Sequence, residues 1–124
     1  MLNPITPDRE ATLRALLPDD RFAAAGARYL EEPRGRYAGQ VGLLALPRKT
    51  EEVATLVRAA AEARVAVIPY GGGTGLVGGQ VAEDGPRPLI LSLERMNAIR
   101  AVYPDENVLI AEAGAILADV QAAA

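Results

Sequence analysis

Val65-Ala66-Val67-Ile68-Pro69-Tyr70-Gly71-Gly72-Gly73-Thr74-Gly75-Leu76-Val77-Gly78-Gly79 runs from a short apolar segment straight into six glycines within nine residues. Val65 to Ile68 is rich in β-branched residues and is stopped by Pro69, the pattern of a buried strand. Glycine permits positive φ and close approach to the backbone, but it costs conformational entropy. Ordinary turns need one or two glycines at defined positions. Six at the end of a strand imply a loop built around something else. Successive backbone N–H groups in such a loop form a concave nest for anions, and Thr74 adds a hydroxyl.

Working upstream, Thr50, Glu51 and Glu52 open a helix, with Thr50 as the expected N-cap. Val53, Leu56, Val57 and Ala60 then follow helical spacing, and the helix is expected to reach Ala63 or Arg64. Val41 to Leu46 before it is a nearly continuous apolar run ended by Pro47, a second buried strand. Strand, helix and strand make a βαβ unit with parallel strands. Downstream, Pro88 to Ser92 reads as a third buried strand. Ala98 to Tyr103 and Val108 to Glu112 read as an antiparallel pair turning at Pro104 to Asn107. A last helix is expected from Ala115 through Ile116, Leu117 and Val120. At the other end, Thr6 caps a first helix with Pro7 at its first position and an apolar stripe of Leu13, Leu16 and Leu17. Arg21 to Gln40 reads as irregular, with one helical turn at most. The fold class is α+β, α/β-like in its N-terminal half. Residues 1–40 form a helix and irregular lead-in, and residues 41–124 carry the organised domain.

Composition narrows the function. Half of the 124 residues are hydrophobic and the aromatic share is 4%, so the core rests on Ala, Val, Leu and Ile. The net charge of −3 argues against nucleic acid, which requires clustered Lys and Arg. The chain has no Cys and no His, which excludes thiol and imidazole chemistry and Cys/His zinc sites within it. Neither a signal peptide nor a membrane-length apolar run occurs, and the expected compartment is the cytoplasm.

Three kinds of phosphate loop compete for the glycine run. A Walker-type loop needs Gly-Lys followed by Ser or Thr, and no Lys is present. Gly73-x-Gly75-x-x-Gly78 fits the dinucleotide fingerprint, but Tyr70, Gly71 and Gly72 stand between strand and motif. Turn residues also follow where that fingerprint requires a helix. The third kind is a wide loop that binds a pyrophosphate with no helix after it. A glycine turn without any ligand is the remaining reading.

The order of segments adds a resemblance. Pro47-Arg48-Lys49-Thr50-Glu51-Glu52-Val53, then Val65 to Pro69, then Gly71 to Gly79, then Leu91-Ser92-Leu93-Glu94-Arg95-Met96-Asn97, then Glu112-Ala113-Gly114 occur in sequence. From about Gly35 to its end the chain resembles the FAD-linked oxidases and dehydrogenases of the vanillyl-alcohol-oxidase-like superfamily, with their PCMH-type FAD-binding domain. Within it, the chain is similar to the D-lactate and D-2-hydroxyglutarate dehydrogenase group. The resemblance implies FAD as cofactor, its pyrophosphate wrapped by Pro69, Tyr70, Gly71, Gly72, Gly73, Thr74, Gly75, Leu76, Val77, Gly78 and Gly79. It also implies Ser92 and Met96 along the cofactor's edge, and Gly114 where the chain passes close to it. Bottom-up, Ser92 is equally a strand-end cap, Met96 a core residue, and Tyr70 a stacking partner or a cover for the loop.

Relatives of this group continue with a second glycine-rich cofactor segment and a substrate domain. The chain is therefore expected to be an N-terminal part, incomplete at its C-terminus, with no catalytic residue or metal ligand of its own. The implied whole protein oxidises a small D-2-hydroxy acid by hydride transfer to FAD and passes electrons to an acceptor of unstated identity. The alternative is a non-enzymatic nucleotide-binding or regulatory module, distinguished by having no flavin absorbance. An unfinished last helix would leave Ile116, Leu117 and Val120 short of partners and favour self-association into a homo-oligomer. Titrated alone, the chain should bind FAD more weakly than about 1 μM and lose affinity with added salt, because one wall of a site buries too little of a large cofactor. Tighter binding by a clean monomer in light scattering would overturn that expectation.

Overall fold

The computed structural model describes residues 1–124. Helix α1 (Pro7–Arg14) begins as the sequence indicates, with Thr6 Oγ1 accepting the Arg9 N–H at 3.4 Å. It ends sooner than its leucines suggest. Leu13 is buried and Leu17 packs on the core, but Leu16 lies past the last turn and is exposed. The lead-in then supplies a 3₁₀ turn (Asp19–Arg21), a two-residue strand β1 (Phe22–Ala23) and a second 3₁₀ turn (Ala27–Tyr29). The second turn falls within the single helical turn allowed to this stretch. The strand is too short to leave a pattern in the sequence.

Next come β2 (Leu43–Ala45), α2 (Thr50–Ala63), β3 (Val67–Tyr70) and β4 (Leu89–Ser92). A hairpin follows, with β5 (Ile99–Tyr103), a 3₁₀ turn (Pro104–Glu106) and β6 (Val108–Ala111), and then α3 (Leu117–Ala123). β2, β3 and β4 are parallel, and the sheet order is β1-β2-β4-β3 with β1 antiparallel to β2. The βαβ unit is therefore present, but its two strands are not neighbours. β4 enters between them because all four of its residues are buried, and only a central strand is covered on both sides. β3 takes the edge. It begins at Val67 rather than Val65, and Pro69 within it is exposed. An edge is where a residue without an N–H is tolerated in a sheet.

Side chains alternate across this sheet as strand geometry requires. Leu43, Ala45, Leu89 and Leu91 face a core completed by Leu56 and Ala60 of α2, with Ile5, Leu13, Phe22 and Val65. Leu44, Leu46 and Ile90 form a second cluster with Tyr29 and Tyr70. Val57, expected on the buried stripe, is 44% exposed, and Val41 lies outside β2 at 60%. The hairpin forms a separate two-stranded sheet, with Asn107 in the left-handed conformation at its turn. α3 is shorter than expected. Ile116 and Leu117 are exposed at 65% and 68%, while Val120 is half-buried.

The start of α2 differs from the sequence expectation. Lys49, not Thr50, occupies the cap and makes no side-chain cap bond. Glu52 in the first turn instead fastens the residue before the cap. Its Oε1 accepts the Arg48 N–H at 2.8 Å, and both its oxygens lie 3.0 Å from Arg21 Nε. The Glu52 side chain is 5% exposed and that of Arg21 15%, so the pair ties α2 to the turn before β1 away from water. Burial alone pushes the Glu52 carboxyl up, but the Arg48 N–H and the Arg21 guanidinium outweigh it and hold it below its ordinary value. Removing Glu52 leaves the Arg48 N–H without its acceptor and Arg21 with only the exposed Asp20 carboxylate. Glu52→Ala should therefore cost roughly 1–3 kcal/mol in urea unfolding. The folded carboxyl titrates below the unfolded value of 4.5, so this contribution is whole above that pH and is lost as pH falls through the folded value. Unchanged stability, or a loss that does not shrink in acid, would contradict the role given to Glu52.

Candidate functional site

The parallel strands end together. Tyr70, last in β3, is in register with Ser92, last in β4. From these ends the chain enters two loops, Gly71 to Gly79 and Leu93 to Asn97. Ligands of open α/β sheets bind beyond such carboxyl ends. No helix follows the glycine run, since the next regular element is β4. That removes the dinucleotide fingerprint and leaves the wide loop and the ligand-free glycine turn.

The six glycines divide into two groups. Gly73 and Gly78 have φ of +73° and +78°, in the left-handed region that disfavours side chains. A Cβ on Gly73 would stand 1.9 Å from the Tyr70 hydroxyl, and one on Gly78 would stand 3.0 Å from the Tyr37 ring. At Gly75 it would meet the Gln80 amide oxygen at 2.9 Å. Gly73 and Gly78 are glycine for reasons internal to the chain, while at Gly75 only the end of the Gln80 side chain would have to move. Gly72 and Gly79 face nothing within 4 Å, and Gly71 only the Ala113 carbonyl at 3.9 Å; none of the three has positive φ. No backbone N–H from Gly71 to Gly79 donates to an acceptor within the chain. Nine consecutive donors are thus available at the strand ends, the property an anion nest requires.

The loop is nonetheless held in shape. Gln80, nearly buried, donates from Nε2 to the Gly75 carbonyl at 2.7 Å, and the Val81 N–H donates to Gly78 O at 3.2 Å. Sequence reasoning passed over Gln80; its one signal is an amide directly after the glycine run. Thr74, Leu76 and Val77 are exposed on the loop, Val77 at 86%.

The other residues singled out from the sequence fall beneath or beside this loop. Tyr70 is 4% exposed, its ring against that of Tyr29 with centroids 4.9 Å apart, and its hydroxyl donates to the Arg28 carbonyl at 3.0 Å. Only its backbone is placed to face a ligand above the loop. Ser92 is fully buried and its Oγ accepts the Glu94 N–H at 3.5 Å, the bond of a strand-end cap. Met96 is buried, and its carbonyl accepts the Gly114 N–H at 2.8 Å. A Cβ on Gly114 would come within 1.7 Å of the Leu93 carbonyl oxygen. The structure thus brings Gly71, Ser92, Met96 and Gly114 to one end of the sheet. It leaves Pro69 exposed on the edge strand.

Beside them, the Arg28 guanidinium pairs with Glu94 at 2.9 Å, and the Tyr29 hydroxyl donates to Glu94 at 2.9 Å. Burial and that carboxylate push the Tyr29 phenol up to about 12, so it stays protonated through the neutral range. This arrangement can bind a phosphate or pyrophosphate through neutral backbone donors.

Comparison with known proteins agrees. Residues 41–124 match the family model described as FAD binding domain. A probable mitochondrial D-2-hydroxyglutarate dehydrogenase of Oryza sativa subsp. indica is 36% identical over 99 residues, covering 80% of this chain and 17% of that protein. The D-2-hydroxyglutarate dehydrogenase of Xanthomonas citri pv. viticola is 46% identical over 81 residues, covering 65% and 17%. The chain thus spans 17% of the length of each. Among solved structures, p-cresol methylhydroxylase superposes with a TM-score of 0.76 at 19% identity, covering 99% of this chain and 26% of that one. An alkyldihydroxyacetonephosphate synthase does so with a TM-score of 0.78 at 22% identity, covering 98% and 25%. These likenesses bear out the expected fold class. No helix is long and apolar enough to cross a membrane.

The Gly114 contact gives a direct check on the site's construction. The atom in the way is a backbone carbonyl, which cannot rotate aside, so Gly114→Ala should destabilise the attachment of the hairpin by roughly 1–3 kcal/mol. Hydrogen exchange at Gly114 should rise while α2 keeps its protection. Unchanged exchange at Gly114 would show that the chain tolerates a side chain there.

Proposed function

Since this chain belongs to the FAD-binding domain family, we propose that its Pro69 to Gly79 segment holds the cofactor's pyrophosphate in a flavin-dependent oxidoreductase. The observation that carries this reading is the set of nine unpaired N–H groups, together with three glycines that nothing in the chain requires. Glycine at those positions keeps the backbone bare where a ligand would lie against it. The residues present fit the group: neutral donors for the phosphates, the Thr74 hydroxyl among them, and the exposed Leu76 and Val77 as apolar flank. In this reading Ser92 and Met96 shape the neighbouring wall, and Gly114 lets that wall close on Leu93. Tyr70 acts from underneath. We place the boundary between lead-in and cofactor-binding part at residues 40 and 41, a reading the family match over residues 41–124 supports.

When bound, FAD supplies the hydride-accepting chemistry that no side chain of this chain offers. The chain's own task is to bind and orient. The whole protein is assigned the oxidation of a small D-2-hydroxy acid of the lactate, glycolate or 2-hydroxyglutarate class, with electrons passing on to a separate acceptor. The names of the rice and Xanthomonas relatives support that substrate class.

Gly72 tests this reading with little disturbance of the fold, because a Cβ there would meet no protein atom within 4 Å. Gly72→Val should weaken FAD binding by about tenfold or more, the weight of one or two hydrogen bonds to a charged group. Its melting temperature should stay within a few degrees of the parent chain. FAD fluorescence quenching and calorimetry measure both. A valine variant that binds FAD as the parent does would remove the ligand from this loop.

A further inference from the structure

We propose that Tyr70 is a positioning residue for the pyrophosphate loop, with its hydroxyl propping Gly73 in its left-handed turn from inside the protein. The inference rests on the reading of the loop given above and goes one layer beneath it. Gly73 is the first residue of the run with positive φ. The three atoms nearest to its missing Cβ all belong to Tyr70: the hydroxyl oxygen at 1.9 Å, Cζ at 2.5 Å and Cε2 at 3.2 Å. The loop therefore turns on the tip of this one side chain.

That tip is fixed from three directions. The hydroxyl donates to the Arg28 carbonyl at 3.0 Å, across 42 residues of sequence. The ring lies against Tyr29 at 59° between planes, in a cluster with Leu44, Leu46 and Ile90. The backbone is held by the residue that follows β4, with Leu93 N–H donating to Tyr70 O at 2.8 Å. A buried side chain so constrained cannot yield to the loop, so the loop conforms to it. Binding through successive N–H groups depends on their mutual orientation, and a glycine-rich segment loses it most readily when unsupported. Tyr70 thus prepays part of the ordering that an anion would otherwise have to impose.

The test removes one oxygen atom. The 124-residue chain, Tyr70→Phe and Tyr29→Phe are titrated by calorimetry with FAD and with ADP, which shares the pyrophosphate, and each is melted. Tyr29→Phe is the control: it loses its hydrogen bond to Glu94 and keeps its ring, and none of the three atoms nearest a Cβ on Gly73 is its own. Tyr70→Phe should weaken both nucleotides by the same factor, roughly five- to tenfold. Tyr29→Phe should stay within about twofold of the parent for both and melt no higher than Tyr70→Phe. Four results would overturn the proposal: parental affinity in Tyr70→Phe, a loss confined to FAD, an equal loss in Tyr29→Phe, or a Tyr70→Phe chain that no longer melts cooperatively. A parent chain that binds neither nucleotide would instead bring down the reading of the loop, and this inference with it.

Discussion

Leu89, Ile90, Leu91 and Ser92 are each at most 4% exposed, and the requirement to cover both faces and both edges of this one strand organises the rest. Leu89 and Leu91 point toward α2, while Ile90 points the other way toward Tyr29 and Tyr70. Such a strand must be central, and β2 and β3 flank it in parallel. Parallel neighbours end on the same side, so the loops leaving β3 and β4 emerge together. The glycine run therefore opens beside the Leu93 to Asn97 loop as a consequence of how β4 is buried. Without that arrangement the unpaired N–H groups would be an isolated flexible turn.

Much of this was legible in the residues, and the reasons differ by element. α2 announces itself because Leu56 and Ala60 repeat at helical spacing, and the hairpin because its apolar segments flank Pro104 to Asn107. β4 is visible as an apolar run, yet apolarity does not say which strand lies beside which; hence β2 and β3 were legible as parallel but not as separated. β1 has only two residues, too few to alternate. The cap of α2 misled for a physical reason. Thr50 has the right chemistry at nearly the right place, but the helix start is fixed by Glu52, whose buried carboxylate takes the Arg48 N–H and a partner 31 residues distant, Arg21.

The candidate site divides along the same line. The glycine run itself is local and could be read directly. What shapes it is not local: the Tyr70 hydroxyl against Arg28, Gly114 against Leu93 and Tyr37 against Gly78 are contacts between distant parts of the chain. Sequence reasoning could number these residues, but it could not tell a residue facing a ligand from one that supports the backbone that does. Ser92 and Met96, both buried and hydrogen-bonded along the main chain, belong to that supporting layer in the structure.

Both margins of the four-stranded sheet are unsuited to growth. On one side stands β1, only two residues long; on the other stands β3, four residues long with an exposed proline at its third position. Short strands and prolines at sheet edges are the means by which natural proteins avoid templating further strands. A chain whose central strand is so apolar carries an inherent risk of edge-to-edge aggregation while it is being synthesised and whenever it is concentrated. These two edges confine that risk to the unfolded chain, and the native sheet offers a partner strand little to continue.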